Sequence, residues 1–255
     1  MRSRTALLVV AMLVVAAGVA AWLLVLRGDN VTRLALPSAN PAAAASAPAG
    51  TSGATDPSGV APSLATASGS TIDAAAIPGA WTIGADSLVG YRVRERLASL
   101  SADSDAVGRT DRITGSVTIA ASGSALTVSA AEFSVDMTTI TSDRSMRDNR
   151  LRTDGIQTDL FPTSTFTLTA PVAVPAEATS GAQVDVTLQG DLTLHGVTKS
   201  VDIPARTQLG GGRIQIAGSL AFPLSDFGIN PPNVGGFVTV EDNGTLEFLV
   251  NLTKG

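Results

Sequence analysis

Cysteine is absent from the 255-residue chain and histidine occurs once, at position 195. Disulfide frameworks, thiol nucleophiles, structural zinc sites and multi-histidine metal centres are excluded together. A chain with nothing to oxidise is equally at home in either redox compartment, so location has to be argued from other features. Basic runs are lacking too: from Trp81 onward 13 Lys or Arg stand against 19 Asp or Glu, a net of −6. That balance argues against nucleic acid as a partner. No Gly-x-Ser-x-Gly elbow presents a serine nucleophile. Gly210 to Gly212 lacks the following helix and the Gly-Lys-Ser/Thr ending of a phosphate loop. Glu241-Asp242 adjoin Asn243-Gly244 and read as solvated turn carboxylates. His195, at a turn tip with no second ligand, reads as structural. The chain reads as a non-enzyme with no cofactor and no metal site; Tyr91, Arg147 and Asp148 are the weak candidates for a catalytic cluster.

One long hydrophobic run is present. After a short flank, residues 1–5, Ala6 to Leu26 carries no charge and is bounded by Arg4 and Arg27. At about 1.5 Å per residue its helix would span roughly 31 Å, the thickness of a bilayer core. A cleaved secretory signal is the competing reading, with small residues at Ala16 to Ala21. Trp22 to Leu26 continue the apolar run past them, which favours a retained single-pass anchor. Under either reading the remainder is exported, so the expected location is the cell membrane with the domain on its extracytoplasmic side. Residues 27–80 read as a flexible linker, because Pro37 to Ala76 is mostly Ala, Ser, Pro, Gly and Thr and buries too little apolar surface to offset ordering.

From Trp81 to the last residue, 255, the period changes to two. Val184, Val186, Leu188, Gly190, Leu192 and Leu194 alternate with Asp185, Thr187, Gln189, Asp191 and Thr193. The same alternation recurs around Val117, Ile216 and Phe248, giving strands with one apolar face. Between Leu126 and Met137 the pattern slips by one, which predicts a β-bulge near Ala130. His195-Gly196, Asn243-Gly244 and the Gly210 to Gly212 run predict hairpin turns, hence antiparallel order. Stacking as a sandwich and closing as a barrel both satisfy this periodicity; closure has the advantage of removing exposed edges. Ser142 to Gly155 breaks the β pattern and predicts a short helix with Ser142 as N-cap, Asp143 in the first turn, and Arg150 and Arg152 in the last. It lies either on the barrel surface or as a lid, with Met146 and Leu151 facing the lumen.

Gly190-Asp-Leu-Thr-Leu-His-Gly-Val-Thr-Lys199 resembles the signature hairpin of the YceI-like family. Arg147-Asp148 with Leu151, then Phe161-Pro162 and Phe166, and later Gly218-Ser219 and Asp226-Phe227-Gly228, resemble its flanking stretches in order. The resemblance implies a lipocalin-like antiparallel barrel, an exported location, and a long isoprenoid, quinone-like or fatty-acyl chain in an elongated lumen. The sequence departs from many members at Asp86 to Glu95, which lacks their histidine motif; Tyr91, Arg92 or Arg94 are the substitutes for a headgroup contact.

On this basis the residues expected to face inward and line the ligand are Val117, Phe133, Val135, Phe166, Leu168, Val186, Leu188, Leu192, Ile214, Ile216, Leu220 and Phe248, with Tyr91, Met146 and Leu151 at the mouth or lid. Any barrel needs apolar inward residues merely to fold, so a filled core is the alternative. Gly115, Ala130, Gly190 and Gly218 interrupt the inward stripes and lean toward a lumen left unfilled. The expected partners are an apolar lipid and, through the N-terminal helix, the membrane; the oligomeric state stays open, a dimer included. The competing function is an envelope interaction or stress-related scaffold with a filled barrel and no ligand.

Overall fold

The computed structural model describes residues 31–37, 74–97, 103–234 and 238–255. The apolar run Ala6 to Leu26 and most of the Pro37 to Ala76 stretch lie outside them. No helix of the described residues is long and apolar enough to cross a membrane.

Alternating side chains produce thirteen strand segments: β1 (Gly79–Ile83), β2 (Leu88–Leu97), β3 (Asp103–Thr110), β4 (Ile113–Ser122), β5 (Ala125–Asp136), β6 (Thr141–Ser142), β7 (Thr163–Leu168), β8 (Val172–Val174), β9 (Val184–Leu194), β10 (Val197–Gly210), β11 (Arg213–Phe222), β12 (Asn233–Val234) and β13 (Val238–Lys254). β13 closes the sheet on itself. Its first half pairs with β2 and its last residues pair with β1. β1 and β2 pair in turn with β4 and β3. With β1–β2 and β3–β4 each counted as one kinked strand, the ring runs through β5, β7, β9, β10 and β11 back to β13, an eight-stranded antiparallel barrel. A sandwich is thereby ruled out: β1, β4, β5, β7, β9, β10, β11 and β13 close into a ring, and β3 and the short β6 leave an edge beside it.

Turns behave as the residues require, with one exception. His195 and Gly196 take φ of 51° and 73°, and Leu194 pairs with Val197, a two-residue hairpin turn. Gly211 and Gly212 do the same between Gly210 and Arg213. Asn243-Gly244, expected to turn, does not: β13 keeps the same neighbour, β2, before and after it, and the register jumps between Val240 and Gly244. The extra residues form an irregularity inside one long strand. The expected β5 bulge is present, since Thr118 pairs with Ala130 while Ile119 pairs with Val128, leaving Ser129 over.

The single α-helix among the described residues, α1, spans Ser145–Thr153 and is shorter than expected. Arg144 occupies the N-cap position and its side chain does not cap the helix, so Asp143 lies before the first turn and Asp148 within it. Ser142 is no cap; its N–H and Oγ–H both donate to Asp148 Oδ1, at 2.9 and 2.7 Å. The pair ties the start of the helix to β6.

At one end the barrel is packed shut. Ile77, Trp81, Val117, Ile119, Leu209, Ile214 and Leu252 form a buried cluster there, and Trp81 Nε1–H donates to Ile77 O at 2.9 Å. Ile77, four residues before the expected start at Trp81, is thus part of the packed end. Of the residues read as linker, Val31 to Pro37 lie along the outer wall. Val31 O and Thr32 O accept from Arg92 and Arg109, Leu34 to Leu36 lie over Pro204, Arg206 and Ala217, and Pro37 O accepts from Gln183 Nε2 at 2.8 Å. These seven residues are seated, contrary to the flexible reading.

Candidate functional site

At the end opposite the packed cluster, a cavity of about 280 Å³ lies under α1. Its walls are largely apolar: Val89 and Val93 from β2, Val135 from β5, Leu194 from β9, Leu246 from β13, with Met137, Ile140, Ile156, Leu224 and Ile229 from the connecting segments. A second space of about 80 Å³ lies deeper, bounded by Phe133, Phe166, Leu188, Leu192, Ile203, Ile216 and Phe248. Val89, Val135, Ser164 and Leu246 line both. The two spaces adjoin at that collar, and the closed end lies beyond. The upper volume falls near the lower bound of small-molecule pockets, roughly 300–1,000 Å³.

The mouth carries a polar cluster. Arg147 reaches Glu95 on β2 through Nε and Nη2, at 3.2 and 3.0 Å, and also bonds Asp143. Burial, the largest single effect, works against the Arg147 charge, but the hydrogen bonds to Glu95 together with the attraction of Glu95 and Asp143 outweigh it and hold the group above its ordinary value. This fork fastens α1 across the opening. Tyr91 stands beside it. Its hydroxyl is buried and has no hydrogen-bond partner among the described residues, and burial pushes its pKa well above the ordinary phenol value. It is a neutral donor facing a greasy space, and a buried hydroxyl left unpaired costs about 1–3 kcal/mol. A ligand oxygen at that point would supply the missing partner.

The structure sorts the expected lining residues into groups. Phe133, Val135, Phe166, Leu188, Leu192, Ile216 and Phe248 bound the two cavities, and Tyr91, Met146 and Leu151 bound the mouth. Val117 and Ile214 belong instead to the packed end. Leu168 and Leu220 pack around the core without bounding either space. Val186 touches neither and borders the groove beneath Leu34 to Leu36. Val117, Ile214, Leu168 and Leu220 share the inward face but not the level of the cavity, because alternation fixes direction and says nothing of height along the axis. Met146 is 76% exposed, so it stands on the rim rather than pointing into the lumen. Of the three headgroup candidates only Tyr91 turns inward. Arg92 lies on the outer wall, where Nε bonds Glu247 Oε1 at 2.7 Å, and Arg94 is exposed, 3.7 Å from Asp105.

Two kinds of residue were missed. Val89, Val93 and Leu246 follow the period of two and could have been found from it. Ile140, Ile156, Leu224 and Ile229 sit in short 3₁₀ turns and loops, where no periodicity marks a face. The weak catalytic candidates do converge, yet Arg147 is spent on Glu95 and Asp148 on Ser142. His195 is held on both ring nitrogens, by Phe227 O at 3.0 Å and Gln157 Oε1 at 2.9 Å, and Phe161 packs against it. It joins the hairpin turn to the loop after α1.

The glycine argument is overturned. A Cβ on Gly218 would lie 2.5 Å from Phe248 Cζ, one on Gly190 2.4 Å from Phe166 Cζ, and one on Gly115 2.7 Å from Phe133 Cδ1. Each inward glycine is covered by a ring from the next strand, so it leaves no void; Ala130 faces solvent, past the bulge.

The sequence pattern of the YceI-like domain matches residues 81–252. A UPF0312 protein of Shewanella denitrificans is 35% identical over 105 residues, covering 38% of this chain and 51% of that protein. One from Vibrio cholerae is 30% identical over 123 residues, covering 46% and 61%. The chain thus spans between half and two thirds of these relatives. Among solved structures, a polyisoprenoid binding domain from Saccharophagus degradans, implicated in plant cell wall breakdown, superposes with a TM-score of 0.53 at 17% identity, covering 70% of this chain and 99% of that one.

Proposed function

The chain belongs to the YceI-like domain family, and on that premise we propose that it is a binding or carrier protein for a long apolar lipid, an isoprenoid, quinone-like or fatty-acyl chain held in the barrel lumen, and not an enzyme. Ala6 to Leu26 would tether it to the membrane in a single pass, with the barrel on the extracytoplasmic side. The observation that carries the binding reading is the pair of apolar cavities stacked in the lumen, one at the mouth by Tyr91 and one deeper, with Val89, Val135, Ser164 and Leu246 shared between their walls. A filled scaffold has no use for such a space, and its walls offer nothing to a water-soluble ligand except the Tyr91 hydroxyl and the paired charges at the mouth. The polyisoprenoid-binding description of the Saccharophagus domain is consistent with this reading.

Burial supplies the driving force. At about 0.8 kcal/mol per buried CH₂, ten methylene equivalents contribute roughly 8 kcal/mol before the entropy cost of association. The packed cluster around Trp81 and Leu252 would stop the tail, and Tyr91 would meet the polar end. The test is solvent extraction of the purified protein followed by mass spectrometry, with uptake of a fluorescent polyene. Recovered lipid and saturable uptake, both abolished in folded Leu188→Arg or Ile216→Arg, are expected. Repeated absence of lipid and of uptake in the unaltered protein would sink the proposal.

A further inference from the structure

The seven residues Val31 to Pro37 run obliquely across the outer wall. Val31 starts at Arg92 on β2, which pairs with Thr245, and Pro37 ends at Gln183 beside the first residues of β9, near the closed end. Beneath lies a buried ionic knot: Glu247, with a side chain 2% exposed, is 2.7 Å from Arg92, 3.5 Å from Arg109 and 3.6 Å from Arg33 of the strap itself. The knot places Val31 on the mouth side of the barrel's middle. Five residue steps separate Val31 from Leu26, the last of the apolar run, at most about 17 Å of extended chain. Along β13 the closed end at Leu252 is seven residues below Thr245, roughly 24 Å. Barrel strands tilt by about 35–45°, which shortens that drop along the axis to roughly 18 Å, so a bilayer anchored at Leu26 is reached more readily by the mouth than by the closed end.

The rim carries an independent sign. Met146 on α1 and Leu160 in the loop after it are 76% and 71% exposed, the two large hydrophobic residues so exposed among the described ones. Both lie at the open end: Met146 borders the cavity, and Leu160 N–H bonds Gln157 O, whose side chain holds His195. Arg150 and Arg152 stand exposed on α1 between them. Protruding apolar tips flanked by arginines suit the headgroup layer of a membrane.

We propose that the Val31–Pro37 strap holds the barrel mouth-down on the bilayer, with Met146 and Leu160 entering the headgroup layer, so that lipid passes between membrane and lumen without crossing water. This rests on the anchor reading of Ala6 to Leu26. Because the chain has no cysteine, one fluorophore can be placed at Asn149→Cys on α1 or at Ser122→Cys on the closed end, in the full chain reconstituted into phosphatidylcholine–phosphatidylglycerol vesicles containing nitroxide-labelled lipid. Loss of most of the fluorescence at Asn149 and little at Ser122 is expected. Replacing residues 31–37 with Gly and Ser of equal length, or substituting Met146→Asp with Leu160→Asp, should abolish the difference. Equal quenching at both sites in protein that floats with the vesicles overturns the orientation alone, as does a difference that survives both alterations. Failure to float with the vesicles overturns the anchor reading and this one with it.

Discussion

Gly218 on β11 and Phe248 on β13 face each other across the barrel wall, and the phenyl ring lies over the glycine so closely that a Cβ there would come within 2.5 Å of Cζ. Gly108 seats the Tyr91 ring in the same way, with Cε1 at 2.4 Å from the would-be Cβ. Rings that border the cavities are thus held by the neighbouring strand. Gly218→Ala, which must push the Phe248 ring away, should lower unfolding stability by about 1–3 kcal/mol, the usual cost of overpacking. Urea denaturation measures it, and an unchanged midpoint would show that the ring is free to move.

Tyr91→Phe removes a buried hydroxyl that has no partner. The free protein should be as stable as before or more so, since an unsatisfied group disappears. Uptake of a prenyl chain ending in a carbonyl should weaken, while uptake of a plain hydrocarbon should not. Equal loss for both probes would remove Tyr91 from any headgroup role.

Val135 belongs to the collar shared by the upper and lower spaces. Val135→Trp should close the passage, and the lipids extracted from this variant should be shorter than those from the unaltered protein. Identical chain-length distributions by mass spectrometry would mean that the lower space does not receive the tail.

Glu247 is the one carboxylate beneath the strap that Arg33, Arg92 and Arg109 all approach. Glu247→Ala strands buried positive charge on the outer wall and should cost about 3–5 kcal/mol. Thermal unfolding of the variant tests this, and limited proteolysis should show cleavage near residues 31–37 rising with it. Stability within error of the parent would show that the knot is solvated.

Asp242 accepts from both Ser225 Oγ–H and Ser225 N–H, at 2.6 and 2.9 Å, and these bonds hold its carboxyl below the ordinary value. A lowered folded pKa gives stability that is present above the unfolded value and lost as pH falls through the folded one. The melting temperatures of the parent and Asp242→Asn should therefore differ at neutral pH and converge in acid. A gap that persists in acid would assign the effect to shape rather than charge.

The β-strands, the His195 hairpin, the β5 slip and the helix were legible because each has a local cause: period two, a tight pair of turn residues, a one-residue phase shift, a break in alternation. Asn243-Gly244 was misread because the same dipeptide serves a turn or a bulge, and only the partner strand chooses. Seven of the twelve expected lining residues border a cavity, while Val117 and Ile214 fill the closed end, since direction is local and height is not.

By itself the sequence determined which side of each strand is apolar, where the chain must reverse, and what chemistry the missing cysteines and histidines forbid, because these follow from bonds and contacts between near neighbours. Only the tertiary structure decided that β13 closes the ring, that one end is plugged and the other left open under α1, that Tyr91 is unpartnered, and that residues 31–37 lie on the wall. Those outcomes depend on which distant segments meet, and no periodicity along the chain encodes that meeting.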